Sequence, residues 1–245
     1  MSNGSTVWLP TPPSARRPQR RGRRVWWIVL ASLLTLLVLL VVLDRVAVAY
    51  ADNRAAQQMK SQGFPIKPNV SIEGFPFLTQ VVARNFNDIH ITASRVPEGP
   101  VTLSLVADAT GVKLNSDFQS GTITQINGTG LIGFSNLASV AGVAGAPGLS
   151  FKAAGPSQVR ITLNLQVISA SALASIQRVG PNTFKIHITS TDGIPASLLG
   201  SLKDFTVHIP SLPMGLSIQS VEVSGQGVVI HVTGTNIKFT PNGLG

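Results

Sequence analysis

Residues 159–167 read VRITLNLQV, with Val159, Ile161, Leu163, Leu165 and Val167 at every second position. Successive side chains of an extended chain point to opposite faces. Nine residues of this alternation therefore specify a β-strand with one dry face and one wet face. The period recurs on the C-terminal side in Phe184, Ile186 and Ile188, then Phe205, Val207 and Ile209. Ile218, Val221 and Val223 follow, then Val228, Ile230 and Val232, extended by Ile237 and Phe239. On the N-terminal side it recurs in Val101, Leu103 and Leu105, in Ile89, Ile91 and Ala93, and in Val70 and Ile72. The series predicts a long antiparallel meander buried on one face. Helical signal among these strands is thin: 136–143, 169–179 and 196–203 each suit two or three turns. The stretch GVAGAPG at 142–148 reads as a loop.

A one-faced sheet must bury its dry face by closing, by stacking or by curling round a helix. The long helix available lies upstream, at residues 44–62. That segment is Ala-rich, lacks Gly and Pro, and is followed by Gly63 as a stop. Val46, Tyr50, Asn53, Ala56 and Met59 fall near one stripe and predict the docking face. The expected fold class is α+β, mainly antiparallel β, with a long curved sheet wrapped around a long helix. Space left between them would be an elongated apolar groove suited to an acyl chain, each buried methylene contributing ~0.8 kcal/mol.

Before that helix, residues 25–43 run VWWIVLASLLTLLVLLVVL without a charge, a proline or a glycine. A helix of this length spans ~28 Å, about the hydrocarbon thickness of a bilayer. Trp26 and Trp27 stand at its start, where indoles favour the headgroup level. Arg16, Arg17, Arg20, Arg21, Arg23 and Arg24 precede it, and the first acid in the chain is Asp44. The positive-inside bias then puts the N-terminus in the cytoplasm and the rest outside. A cleaved signal is the competing reading, with Ala47-Val48-Ala49 as a small-x-small site, but the run exceeds a usual signal core. The expected parse is a disordered basic cytoplasmic tail (1–24) and a transmembrane anchor (25–43). A stalk or core helix (44–62) and an extracytoplasmic β-rich domain (63–245) complete it.

The formal charge of +9 is unevenly placed, with 13 Lys and Arg against 10 Asp and Glu from Asp44 onward. The basic pI therefore reports topology and not a nucleic-acid surface. Charged residues are only 12% of the chain, so much apolar surface must be hidden or presented to something apolar. With no cysteine, burial alone must hold the domain.

Chemistry-bearing patterns are sparse. Gly128-Thr129-Gly130-Leu131-Ile132-Gly133 matches a dinucleotide fingerprint in letters. No acid lies between Asp117 and Asp192 to hold a ribose, so turn or bulge glycines are expected. His90, His187, His208 and His231 each sit between apolar residues on the polar phase of a strand, without ligand spacing. No GxSxG, SxxK or HExxH is present and the acids are scattered, so no catalytic residue, metal or cofactor is assigned. The informative stretches are apolar: GFPFLTQ at 74–80 and IPSLPMGL at 209–216. Their prolines interrupt ladder bonding and mark strand edges or bends.

From the helix at 44–62, through VSIEGFPFLTQ at 70–80, to LPMGL at 212–216 with Val221, Val223, Gly227 and Val228, the chain resembles the LmeA-type phospholipid-binding proteins of actinobacteria. One departure is Ala83-Arg84-Asn85-Phe86, where the family usually has a glycine. The resemblance implies a TULIP-like fold, in which a curved sheet wraps a long helix and leaves a lipid-sized groove. It also implies non-enzymatic phospholipid binding in support of the cell envelope. On that reading Phe75, Phe77, Leu78, Leu212, Met214 and Leu216 are candidate lipid contacts, with Lys67 and Arg84 as headgroup candidates. The expected partners are phospholipid, the cytoplasmic membrane through residues 25–43, and envelope-biosynthesis proteins; no nucleic acid is expected. The competing functions are an envelope scaffold docking a partner through an apolar rim, and a lipid hydrolase.

Overall fold

The structure is a computed structural model. It describes residues 4, 21–61, 64–98, 101–140, 148–165, 168–180, 183–193, 204–208, 216–240 and 243–244. The chain falls into two compact units, Met1–Leu43 and Asp44–Gly245. One uninterrupted helix, α1 (Arg21–Ser61), supplies residues to both. In the first unit its large apolar residues from Val25 to Leu43 are all exposed, and the helix is long and apolar enough to cross a membrane. The expected tail otherwise lies outside the described residues, as do Gly63 and the predicted helix at 196–203.

The second unit is α+β, with two antiparallel sheets in place of the single meander expected. The larger has the order β1 (Asn69–Glu73), β2 (Asn85–Glu98), β3 (Val101–Leu114), β4 (Gly121–Gly133), then β11 (Gly227–Thr240) and β10 (Ser217–Val223). A short β12 (Gly243–Leu244) also pairs with β11. The smaller runs β5 (Leu149–Gly155), β6 (Gln158–Leu165), β7 (Ile168–Gly180), β8 (Thr183–Asp192) and β9 (Asp204–His208). Short helices α2 (Phe77–Ala83) and α3 (Phe134–Val140) complete the described elements. The predicted turn of helix at 136–143 overlaps α3, whereas 169–179 is strand β7. There Ala170, Ala172, Ala174 and Ile176 face inward. Serine and alanine alternate without enough contrast in hydropathy to reveal a period of two.

Gly128 and Gly130 are neither turn nor bulge residues. They lie inside β4, paired with β3 on one side and β11 on the other. A side chain at Gly128 would press on Val232 Cγ2 at 2.7 Å, so glycine keeps two packed strands close.

A strict period of two fails along one line across the larger sheet. Inward residues there are spaced by three: Phe86 then Ile89, Ala109 then Val112, Ile123 then Ile126. Between them Asn87, Gly111, Thr124 and Asn236 form a single row, and none of the four makes a ladder pair. Gly111 (φ +64°) and Asn236 (φ +53°) adopt the left-handed region that these two residue types tolerate best. The irregular row lets side chains on both sides of it reach the same core, which a regular strand would forbid. That core joins Phe77, Phe86, Ala109, Val112, Ile123, Ile126 and Ile237, with Ala47, Val48 and Ala51 of α1 packed on it. A second cluster, Val159, Ile176, Val223 and Val228, joins the smaller sheet to β10 and β11, with Phe134 and Leu137 of α3 against it.

The face of α1 that docks meets the predicted stripe at Ala56 and departs from it at Val46 and Tyr50. Val46 and Tyr50 are exposed, while Asp44, Ala47, Val48, Ala51, Asp52 and Ala56 turn toward the sheet. The docking arc is built from alanines, which let the helix come close, and from two aspartates that bond backbone N–H groups. A reading that ranks positions by hydropathy puts Val46 and Tyr50 on this face and passes over the two aspartates.

Gln80 ties α2 to the irregular row. Its Nε2 donates to the Glu73 carbonyl at 3.1 Å, and its Oε1 accepts the Asn87 N–H, freed from the ladder, at 3.1 Å. Gly74 (φ +101°) makes room, since a Cβ there would stand 2.6 Å from Gln80 Nε2. Gln80→Leu keeps the volume and removes both bonds. It should lower unfolding stability by about 1–3 kcal/mol in urea titrations of residues 44–245. An unchanged midpoint would show that the bridge contributes nothing.

Candidate functional site

The GFPFLTQ stretch becomes a turn and a helix that meet the start of the second unit. Gly74 reverses the chain after β1, the Phe75–Pro76 peptide is cis, and α2 begins at Phe77. Asp44 Oδ1 accepts the Leu78 N–H at 2.8 Å, so a carboxylate of α1 satisfies a donor in the first turn of α2. Its other oxygen accepts from Arg45 Nη2 at 2.7 Å, and the Arg45 guanidinium carbon stands 5.2 Å from the Phe75 ring centroid. Eight residues further along α1, Asp52 Oδ1 accepts the Ile72 N–H at 2.8 Å on edge strand β1.

Asp44 is only 2% exposed. Burial by itself pushes its carboxyl up. The Leu78 N–H, the Arg45 guanidinium and the Phe77 N–H outweigh this and hold its pKa below the ordinary value. His90 is shifted upward because its Nδ1 stands 2.5 Å from Asp108 Oδ1, a pull that exceeds the opposing effect of burial. His231 Nδ1 lies 3.3 Å from Thr129 Oγ1 on the adjacent strand. Among the described residues no three His, Cys, Asp or Glu side chains converge on a metal-sized site.

The candidate contacts separate by environment. Phe77 is buried and stacks obliquely on Phe86, ring centroids 6.1 Å apart, so it is a wall of the core. Leu216 packs against the same cluster, so the structure brings these two together. Phe75 and Leu78 are exposed instead. Leu212 and Met214 lie outside the described residues.

Lys67 and Arg84 do not share a site. Lys67 precedes Asn69, which pairs with Thr92 far along β2, whereas Arg84 immediately precedes the first residue of β2. Lys67 donates to Asn53 Oδ1 at 2.5 Å at the side of an open cavity of about 290 Å³. That cavity lies between α1 and the start of β1, lined also by Ala49, Asp52, Ala56 and Val70. Arg84 adopts φ +53° and ends α2, standing where the resemblance leads one to expect a glycine. A single left-handed non-glycine residue meets that turn's requirement at a modest cost.

Sequence reasoning passed over Asp44, Asp52 and Gln80 because their partners are backbone groups distant along the chain. Their signal was a polar residue on an otherwise small and apolar arc.

A family model described as LmeA-like phospholipid-binding matches residues 42–233, from the second-unit part of α1 through the first half of β11. Neither a curated protein nor a solved structure matches the chain.

A carboxyl with a depressed folded-state pKa contributes stability that is present above its unfolded value of about 4. That contribution disappears as pH falls through the folded value. Urea midpoints of residues 44–245 should therefore drop between about pH 5 and pH 2. Asp44→Asn should lower the midpoint at neutral pH and flatten that acid slope. An identical slope in the variant would mean that the Leu78 and Arg45 bonds do not hold the carboxylate.

Proposed function

The chain belongs to the LmeA-like phospholipid-binding family, and from this we propose a non-enzymatic phospholipid-binding protein tethered to the cytoplasmic membrane. In this reading residues 25–43 span the bilayer, the six arginines before them stay inside, and Asp44–Gly245 works on the outer side. Its task there is to hold, and to shuttle, phospholipid in support of envelope construction. The family match carries the reading.

Several features support it. An exposed apolar helix of this length is stable in hydrocarbon and not in water. The larger sheet has one apolar face, and α1 lies on it through small residues. The irregular row at Asn87, Gly111, Thr124 and Asn236 is a device that bends sheets, in keeping with a TULIP-like wrapping of α1. Acyl chains would lie along this face beside Phe77 and Leu216, with Leu212 and Met214 shortly before Leu216 in sequence. Of the headgroup candidates, Lys67 has the better position, at a cavity that already holds Asn53 and Asp52.

One observation favours the scaffold reading. The 290 Å³ cavity is at the lower end of small-molecule sites, too small for a two-chain lipid as it stands. Native mass spectrometry of secreted residues 44–245, with lipid extraction, separates the two. A stoichiometric phospholipid adduct is expected, and extraction names its headgroup. A clean apo mass that persists after incubation with phospholipid vesicles would overturn lipid binding in favour of the scaffold.

A further inference from the structure

Four large apolar side chains stand in solvent at one end of the larger sheet. Phe75 (61% exposed), Leu78 and Val82 (85% exposed) belong to the turn and outer side of α2. Phe118, 50% exposed with φ +56°, sits at the tip of the β3–β4 hairpin. Topology puts them at the same end: β2 starts directly after α2, β3 ends at Leu114, and β4 restarts at Gly121. The Leu114 N–H donates to the Arg84 carbonyl at 2.9 Å, fastening the hairpin to α2.

Exposed cations share this end. Arg84 closes α2, and Lys113 and Lys238 flank Thr122 on a single rung, about 10 Å apart across three strands. The acids nearest to them are engaged or set back. Asp44 is paired with Arg45. Asp117 accepts the Gln119 and Ser120 N–H groups within its own turn. Glu73 and Asp88 face each other three residues further along β2 than Asn85.

This end also includes the first residue of the second unit, Asp44. Asp44 follows Leu43 directly in α1, and its carboxylate is bonded to the Leu78 N–H. Exposed apolar groups at the same end as Arg84, Lys113 and Lys238 match an anionic bilayer surface.

We propose that the α2 and β3–β4 hairpin end of the larger sheet is a second, peripheral membrane contact. Phe75, Leu78, Val82 and Phe118 enter the headgroup region of the bilayer that holds residues 25–43, and the basic rim engages anionic phospholipid. The proposal rests on the anchored reading above and is independent of whether a groove holds lipid.

The chain contains no cysteine, so Val82→Cys, Phe118→Cys and Gln226→Cys each introduce one thiol for an environment-sensitive fluorophore. Gln226 is the control, in the turn at the opposite end of β11. Full-length protein is reconstituted in phosphatidylcholine vesicles with or without phosphatidylglycerol, with a spin-labelled lipid as quencher near the headgroups. Positions 82 and 118 should be quenched several-fold more than position 226 when phosphatidylglycerol is present. High salt should reverse this, and Lys113→Glu with Lys238→Glu should weaken the contact by about tenfold or more. Equal quenching at the three positions overturns the proposal, as does quenching at 82 and 118 that ignores lipid charge, salt and the charge reversals. Extractable phospholipid per protein is measured on the same charge-reversed variant of residues 44–245, whose far-UV circular dichroism checks folding. Cargo retained with quenching lost isolates the docking contact, and cargo absent with quenching retained defeats only the groove.

Discussion

Two aspartates on an alanine-lined arc of one helix fasten α1 to the larger sheet and to α2. Asp44 and Asp52 stand eight residues apart on α1 and accept N–H groups from Leu78 and Ile72. A charge-assisted hydrogen bond to a partly buried donor contributes about 1.5–3 kcal/mol, whereas burying an alanine methyl contributes ~0.8 kcal/mol. The aspartates therefore set the rotation and register of the helix, and Ala47, Ala51 and Ala56 permit the approach. The bond from Asp52 also occupies a donor on β1, an edge strand that would otherwise be open to further pairing.

From that docking the rest of the core follows. Because α1 approaches closely, the sheet must present apolar side chains on both sides of a row where its own alternation breaks. Gly111 and Asn236 supply the left-handed residues that the break requires, and Thr124 Oγ1 donates to the Gly111 carbonyl at 3.1 Å across the gap. Gln80 captures the N–H that the break releases at Asn87 and passes the connection to Glu73. Helix, turn and sheet are thus joined by polar groups at the points where apolar periodicity gives out. The GFPFLTQ stretch contributes one buried ring, Phe77, one buried amide, Gln80, and an outward-facing apolar surface at Phe75 and Leu78.

The same stretch has two chemical faces. Phe77 packs with Phe86 in the core, and its loss would open a cavity costing about 3–5 kcal/mol, so its substitution would report on folding before function. Phe75 and Leu78 spend little stability and remain accessible. That division separates residues that shape an apolar face from residues able to meet a ligand or a bilayer, a distinction that composition alone does not make.

The long apolar helix, the antiparallel class and the family were legible in the sequence. Each rests on local order: nineteen uncharged residues in a row at 25–43, alternation at 159–167, and the specific run at 74–80. Local order did not extend to β7, where alanine and serine alternate with too little contrast, nor to the docking side of α1. There Val46 and Tyr50 drew the predicted stripe away from the arc that is used, which it meets at Ala56. Tertiary structure decided those, together with the division into two sheets and the separation of Lys67 from Arg84. The reason is physical. Periodicity shows which side of an element is apolar, but backbone donors and acceptors are invisible in a sequence. The groups that satisfy them, Asp44, Asp52 and Gln80, act on partners that only the folded chain brings within reach.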